Sequence, residues 1–159
     1  MKWTPRRLRA LINVYPPYVG AGIRVTHIDP EWRELRVTMR LRWFNKNIVG
    51  VHFGGSLYSM VDPHLMVLMM NALGDEYIVW DKAAAIDFVR PGKGRVHATF
   101  RITDEDLDAA REATRSGRPY RPEFDVEVVD EAGEVVVRVR KTLYVRRKRP
   151  SGSARPGGA

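Results

Sequence analysis

The sequence predicts an α+β domain in which one curved antiparallel sheet wraps around a single apolar helix. Three observations lead there. Residues 34–43 alternate, with Leu35, Val37, Met39, Leu41 and Trp43 on one side and Arg36, Thr38, Arg40 and Arg42 on the other, as a strand with one face on a core does. Residues 57–73 are apolar nearly all round and hold four of the chain's six methionines, the pattern of a buried central helix. Further strand patterns separated by turn residues flank that helix, and 159 residues suit one domain.

The elements follow in order. Thr4 caps a helix with Pro5 at its first position, running to about Asn13, and Tyr15-Pro16-Pro17-Tyr18 stops it because proline cannot donate into a continuing helix. Gly22–Ile28 reads as a strand, and Pro30-Glu31 as the turn before the alternating strand. The apolar helix comes next, then strands over Tyr77–Trp80 with Ala83–Val89 and over Arg95–Ile102, parted by the Pro91-Gly92-Lys93-Gly94 turn. Thr103-Asp104-Glu105-Asp106 starts a helix that reaches about Arg115, since a threonine cap and an acidic first turn satisfy free amides and oppose the dipole. Phe124–Val129 and Glu134–Val145 close the chain as a hairpin. The domain therefore spans residues 1–145, and 146–159 read as a basic, disordered tail rich in Pro, Gly and Ser.

Charge and composition remove several function classes. The formal net charge is +8, but five basic residues lie in 146–159 and four in 1–9, which leaves residues 10–145 at −1. The basicity sits at the ends, so counterion release gives only weak, salt-sensitive affinity for polyanions, and a nucleic-acid role is not expected. There is no cysteine, hence no disulfide scaffold and no thiolate nucleophile. His27, His52, His64 and His97 lack metal-ligand spacing, so no metal site is expected. Neither a signal core nor a run of 18 apolar residues is present, which predicts a cytoplasmic protein without a membrane span.

The candidate chemistry lies in residues 47–62. Gly54-Gly55 at the start of a helix leaves backbone amides bare and lets a ligand approach closely. Such amides can hold an oxyanion or a polarised carbonyl. Asp62 is the one charged side chain among the 28 residues 47–74. Eight residues from Gly54, a little over two helical turns, it would share a helix face with Gly55 and Ser59. A carboxylate in apolar surroundings is normally paired, hydrogen-bonded or functional. Two readings stand: a base or nucleophile, or an N-cap for a shorter helix that begins at Pro63.

The pattern Asn47-x-x-Gly50-x-x-x-Gly54-Gly55 followed by Asp62 resembles the active-site segment of hotdog-fold acyl-CoA thioesterases, in the phenylacetyl-CoA and human-type medium/long-chain branch. The longer segments HFGGSLYSMVDPHLM, YIVWDKAAAIDF and RPGKGRV resemble a thioesterase-like hotdog family often labelled tetrameric acyl-CoA thioesterase, over about residues 10–146. The resemblance implies a hotdog fold and hydrolysis of an acyl-CoA thioester, with no cofactor beyond that substrate. It implies that the amides of Gly54 and Gly55 polarise the thioester carbonyl, that Asp62 acts as base or nucleophile, and that Asn47 orients water or the carboxylate. It further implies a site between two protomers, in a dimer or tetramer.

The chain also departs from that branch. Phe53 stands where its members carry histidine, and His52 is one residue earlier, an accessory site residue or else a core or surface histidine. Pro63 should kink the helix directly after the carboxylate. The next strand of that branch offers Ser or Thr to the thioester; the matching position here falls near Asp81, for which an ion pair with Lys82 is the alternative. Arg90, Lys93 and Arg95 surround the Pro91–Gly94 turn and suit the phosphates of coenzyme A, unless this is an ordinary solvated hairpin. Tyr58, His64 and the methionines read as packing. A second function also fits the chain: a non-catalytic module that binds acyl-CoA or acyl chains in an adaptable methionine-rich pocket.

Overall fold

In a computed structural model, which describes residues 3–148, eleven elements form around one sheet. Helix α1 (Pro5–Asn13) begins as expected, with Thr4 Oγ1 accepting from the Arg7 N–H. The Pro16-Pro17 pair does more than end it. Proline fits the first turn of a helix, where no N–H is needed, and α2 (Pro16–Ala21) starts there. Strands β1 (Ile23–Ile28) and β2 (Glu34–Arg40) follow.

Strand β2 ends three residues before the alternating pattern does, because Asn45 captures the backbone. Its Oδ1 accepts from the Arg42 N–H at 2.6 Å, and its Nδ2 donates to the carbonyls of Ala21 and Arg40, both at 2.9 Å. Gly22, in the left-handed region at φ 76°, leaves room for this plug: a Cβ there would lie 2.6 Å from Asn45 Nδ2. Trp43, expected on the core side, is instead exposed.

The single central helix of the sequence reading is two helices, α3 (Gly54–Ser59) and α4 (His64–Leu73), parted by Met60–Pro63. Proline lacks an N–H and its ring clashes with the preceding turn, so Pro63 breaks the helix where a kink was expected. Helix α4 buries His64, Leu65, Val67, Leu68 and Met69 against the sheet. Met70 keeps part of its surface exposed, so this helix is not buried all round.

Strand β3 (Tyr77–Phe88) is continuous through a bulge between Asp81 and Ala83, and β4 (Arg95–Arg101) follows it. Helix α5 (Asp104–Ala113) carries a reciprocal cap in which Asp106 N–H donates to Thr103 Oγ1 and Thr103 N–H donates to Asp106 Oδ2. Strands β5 (Glu123–Asp130) and β6 (Val135–Arg147) form the hairpin. Of the expected tail, Arg146 and Arg147 belong to β6, the Lys148 N–H donates to the Glu76 carbonyl at 2.8 Å, and 149–159 lie outside the described residues.

All six strands join one antiparallel sheet in the order β1-β2-β4-β5-β6-β3. Its inner face carries Val25, Val37, Met39, Ala98, Phe100, Val128, Val139 and Leu143, all buried around α4. Burial of this many branched and aromatic side chains is the main favourable term of the fold. Strand β3 is left at an edge.

Candidate functional site

The break between α3 and α4 is what brings Asp62 into contact with the sheet. Asp62 is neither on a continuous helix face with Gly55 nor the N-cap of α4, whose cap position is Pro63. Its side chain turns instead to β6, where Lys141 Nζ donates to Asp62 Oδ1 at 2.7 Å. Nζ also lies 2.8 Å from Asp81 Oδ1 on β3, close enough for an ion pair though not aligned as a hydrogen bond. The lysine side chain is 0% exposed, that of Asp81 19% and that of Asp62 43%. One buried ammonium thus serves two carboxylates, and Asp62 is the one open to solvent.

The electrostatics follow from that sharing. Burial alone would lower the Lys141 ammonium; its hydrogen bond to Asp62 and the charges of Asp81 and Asp62 outweigh that and hold the group above the ordinary lysine range. Burial pushes Asp81 up, with the Asp62 charge adding to the rise and Lys141 pulling it back. The Tyr58 ring completes the cage, its centroid 5.6 Å from Nζ. Asp81 pairs with Lys141 and not with Lys82, which sits in the bulge and is exposed.

Beneath Asp62 lies a second polar layer. Tyr18 Oη donates to the Asp62 carbonyl and lies 3.1 Å from His64 Nε2. With the tyrosine proton given to that carbonyl, His64 Nε2 is the donor to Tyr18, and Nδ1 has no hydrogen-bond partner among the described residues. Burial keeps the Tyr18 hydroxyl above its ordinary range and pulls the His64 imidazole down to about 3.

At the other end of α3, the N–H groups of Gly54 and Gly55 donate to no acceptor among the described residues, while those of Ser56 and Leu57 both reach the Phe53 carbonyl. Aromatic rings stand over both glycines. A Cβ at Gly54 would lie 3.0 Å from Phe88 Cζ, and one at Gly55 would lie 2.5 Å from Phe53 Cε1. Gly55, Ser56 and Ser59 line an open depression of about 420 Å³ with Pro17, Phe44 and Phe53; Asp62 is not part of its wall. Ser59 Oγ donates to the Gly55 carbonyl at 2.8 Å, so its proton is already used.

The remaining candidates are structurally committed to different degrees. Asn47 Oδ1 accepts from the N–H groups of Val49 and Val51, both at 3.1 Å, which holds its own turn. His52 is buried against the Pro91–Gly94 turn: its N–H donates to Gly92 O at 3.0 Å and Nε2 lies 3.1 Å from Gly94 O. Burial lowers its imidazole below the ordinary range, partly countered by the Gly94 carbonyl. Arg90 reaches Asp130 Oδ2 at 2.6 Å and the Val135 carbonyl at 3.0 Å, which ties the turn to the β5–β6 hairpin. Lys93 and Arg95 are exposed and have no ion-pair partner among the described residues. No group of three or more metal-ligating side chains occurs among the described residues.

Sequence reasoning missed Lys141, Tyr18 and the position of His64. For Lys141 a signal exists. In Val137-x-Val139-x-Lys141-x-Leu143-x-Val145 the lysine occupies an inward position between apolar ones, and an inward lysine requires a carboxylate.

Comparison with known proteins agrees with this architecture. The family described as "Domain of unknown function (DUF4442)" matches residues 5–145. No curated protein matches the sequence. A solved structure from Pseudomonas aeruginosa, described as a protein of unknown function and probable thioesterase, has a TM-score of 0.83 at 19% identity, covering 93% of this chain and 99% of that one. A thioesterase from Haemophilus influenzae has a TM-score of 0.67 at 15% identity, covering 96% and 97%. The PaaI protein of the E. coli phenylacetic acid degradation operon has a TM-score of 0.61 at 19% identity, covering 91% and 92%. At these identities the likeness is one of fold, and that fold is the hotdog: a curved antiparallel sheet around a central helix.

Proposed function

The chain belongs to the DUF4442 family, and on that footing we propose that it is a hydrolase that cleaves the thioester of an acyl-CoA. The observation that carries the reading is the Asp62 carboxylate, open to solvent on one side and held 2.7 Å from a buried ammonium on the other. Such a carboxylate is oriented and accessible, which is what a general base or nucleophile requires. The unengaged amides of Gly54 and Gly55 add donors suited to a developing oxyanion. The labels of the fold neighbours as thioesterases agree with this direction.

In the hydrolysis, a C–O bond forms at the thioester carbonyl carbon and the C–S bond breaks, its electron pair leaving on sulfur. The proton removed from water by Asp62 then returns to the thiolate. If Asp62 attacks directly, an acyl-enzyme anhydride intervenes and water releases it; label found in Asp62 after a single turnover in ¹⁸O-labelled water marks that route, with water attacking the Asp62 carbonyl carbon. At the Pro91–Gly94 turn, Lys93 and Arg95, without an ion-pair partner among the described residues, are offered to the phosphates of coenzyme A, whereas Arg90 is already paired with Asp130.

The proposal includes a second copy of the chain. Strand β3 is an edge strand of twelve residues, with Ala83–Ala85, Phe88 and the neighbouring Val89 exposed. A long apolar edge of this kind invites pairing. Phe88 also stands against Gly54, so pairing there would enclose the glycine amides between protomers.

The test is release of free thiol from a panel of acyl-CoAs of short, long and aryl-acyl type, on wild type and Asp62→Asn. Turnover lost in the variant supports the proposal; no release from any member of the panel ends it. One observation favours the second reading, a module that binds acyl-CoA without cleaving it. The ammonium that orients Asp62 also neutralises it, which weakens a base. Thermal stabilisation by acyl-CoA with no thiol release would select that reading.

A further inference from the structure

Asp62 does not have Lys141 to itself. The ammonium is shared with Asp81, which projects from the edge strand β3 just before its bulge, and the lysine's other exits are closed by Tyr58 and the apolar inner sheet. Two carboxylates and one ammonium leave the cluster with a surplus negative charge when both acids are ionised. We propose that Asp81 is a positioning residue whose proton occupancy sets the basicity of Asp62, with Lys141 as the shared counter-charge. This deepens the hydrolase reading and rests on it for its consequence in catalysis.

The physical argument is one of competition for a single cation. When Asp81 carries a proton, Lys141 turns its full field on Asp62, which becomes a well-stabilised and therefore weak base. When Asp81 ionises, it takes part of that field and adds its own negative charge nearby, and Asp62 becomes the stronger base. The two acids then titrate as a pair, in two macroscopic steps that belong to the cluster. The solvent-accessible member is Asp62 and the more buried is Asp81. Burial and the Asp62 charge both raise the Asp81 carboxyl, so its titration lies above that of an ordinary aspartate.

The other groups packed on the cluster do not supply this titration. From α2, Tyr18 faces it with a hydroxyl held above its ordinary range, with Tyr15 beside it. From α3 comes Tyr58, below the ammonium. From α4, His64 is neutral down to about 3. From β6 comes Lys141 itself, held above its own usual range. Asp81 is the group left to change charge near Asp62 as pH rises from acid.

The experiment is a carboxyl-¹³C titration of the full chain, wild type against Asp81→Asn, read at Asp62 with no substrate present. Alongside it, kcat/KM is measured against pH on whichever acyl-CoA is turned over. The expected result is two inflections at Asp62 in wild type and one in Asp81→Asn. The acid limb of kcat/KM should move to lower pH by about one unit, and the plateau should fall through kcat with KM held. Asp81→Ser serves if the asparagine variant does not fold. A single inflection in wild type, or a limb that stays in place, overturns the proposal. Two inflections in a protein that hydrolyses no acyl-CoA overturn the hydrolase reading and leave the coupling standing.

Discussion

Lys141 Nζ lies 2.7 Å from Asp62 Oδ1, joining a side chain with no exposure to one that is nearly half exposed. The pair spans 79 positions in sequence and links the interrupted central helix to strand β6. Removing one partner of such a contact strands the other. Lys141→Met leaves Asp81 half-buried beside the Asp62 charge with no cation, so a loss of about 3 kcal/mol in urea unfolding is expected. The triple change Lys141→Met, Asp62→Asn, Asp81→Asn should recover much of that loss, because no charge is then left without a partner. A triple variant as unstable as the single one would show that the cost is packing rather than charge.

Asp62→Asn keeps the volume and the hydrogen bond to Lys141 while removing the negative charge. General-base or nucleophilic catalysis by Asp62 requires a fall in kcat of about 10² to 10⁴ with the unfolding transition nearly unchanged. The pairing of a thiol-release assay with urea unfolding checks both halves at once. A variant that turns over at the wild-type rate removes Asp62 from the chemistry.

Gly54 and Phe88 make a second test, since the ring lies where a Cβ would go, at 3.0 Å. Gly54→Ala pushes that ring aside and should lower kcat/KM by about tenfold, the scale on which misplaced groups lose rate. Gly54→Ala with Phe88→Ala should lose less than the two single changes added together, because the clash is then gone. Additive losses would mean that the ring and the glycine act independently.

Much of the fold was legible because its determinants are local. The alternation of β2, the capping box at Thr103 and the proline at the first position of α1 each depend on residues within a few positions of one another. The site was only half legible for the opposite reason. Asp62 stood out as a lone charge in an apolar stretch, but its partner lies on another strand 79 residues away, and the neighbouring Lys82 was the nearer candidate for Asp81. Nothing in the spacing of Asn45 shows that its carboxamide will end β2 by bonding three backbone groups brought together from two segments. The break at Pro63 was visible as a kink. That it would turn Asp62 toward the sheet depends on where β6 runs.

His64 predicts an acid-labile fold. Burial holds its imidazole near 3, whereas in the unfolded chain it titrates near 6.5. Between those values the unfolded state binds a proton that the native state refuses, so stability falls as pH drops from about 6.5 toward 3. The effect should reach a few kcal/mol, measured as urea midpoints across that range. Asp81 works with the opposite sign, since its raised carboxyl favours the folded state at low pH, and it softens the fall. His64→Gln, which keeps a donor for Tyr18 and cannot titrate, should flatten the slope; an unchanged slope would place the acid lability elsewhere.

Strand β3 yields the last prediction. Its free edge and exposed Ala83–Ala85 are unprotected by charge, apart from Lys82 and Asp87 toward either end. Edge-to-edge pairing of two copies about a two-fold axis sets the strand against itself, so a residue near the axis meets its own copy. Ala83→Glu, across from Thr142 and not from Lys141 as Ala84 is, therefore places like charges near each other in an assembly while adding only one exposed carboxylate to a monomer. Sedimentation equilibrium should find wild type associated at micromolar concentration and Ala83→Glu shifted toward monomer, with matching far-ultraviolet circular dichroism. If the site lies between protomers, thiol release by the variant should then rise with protein concentration more steeply than in proportion. A monomeric wild type with full turnover would mean that the glycine amides act within one chain.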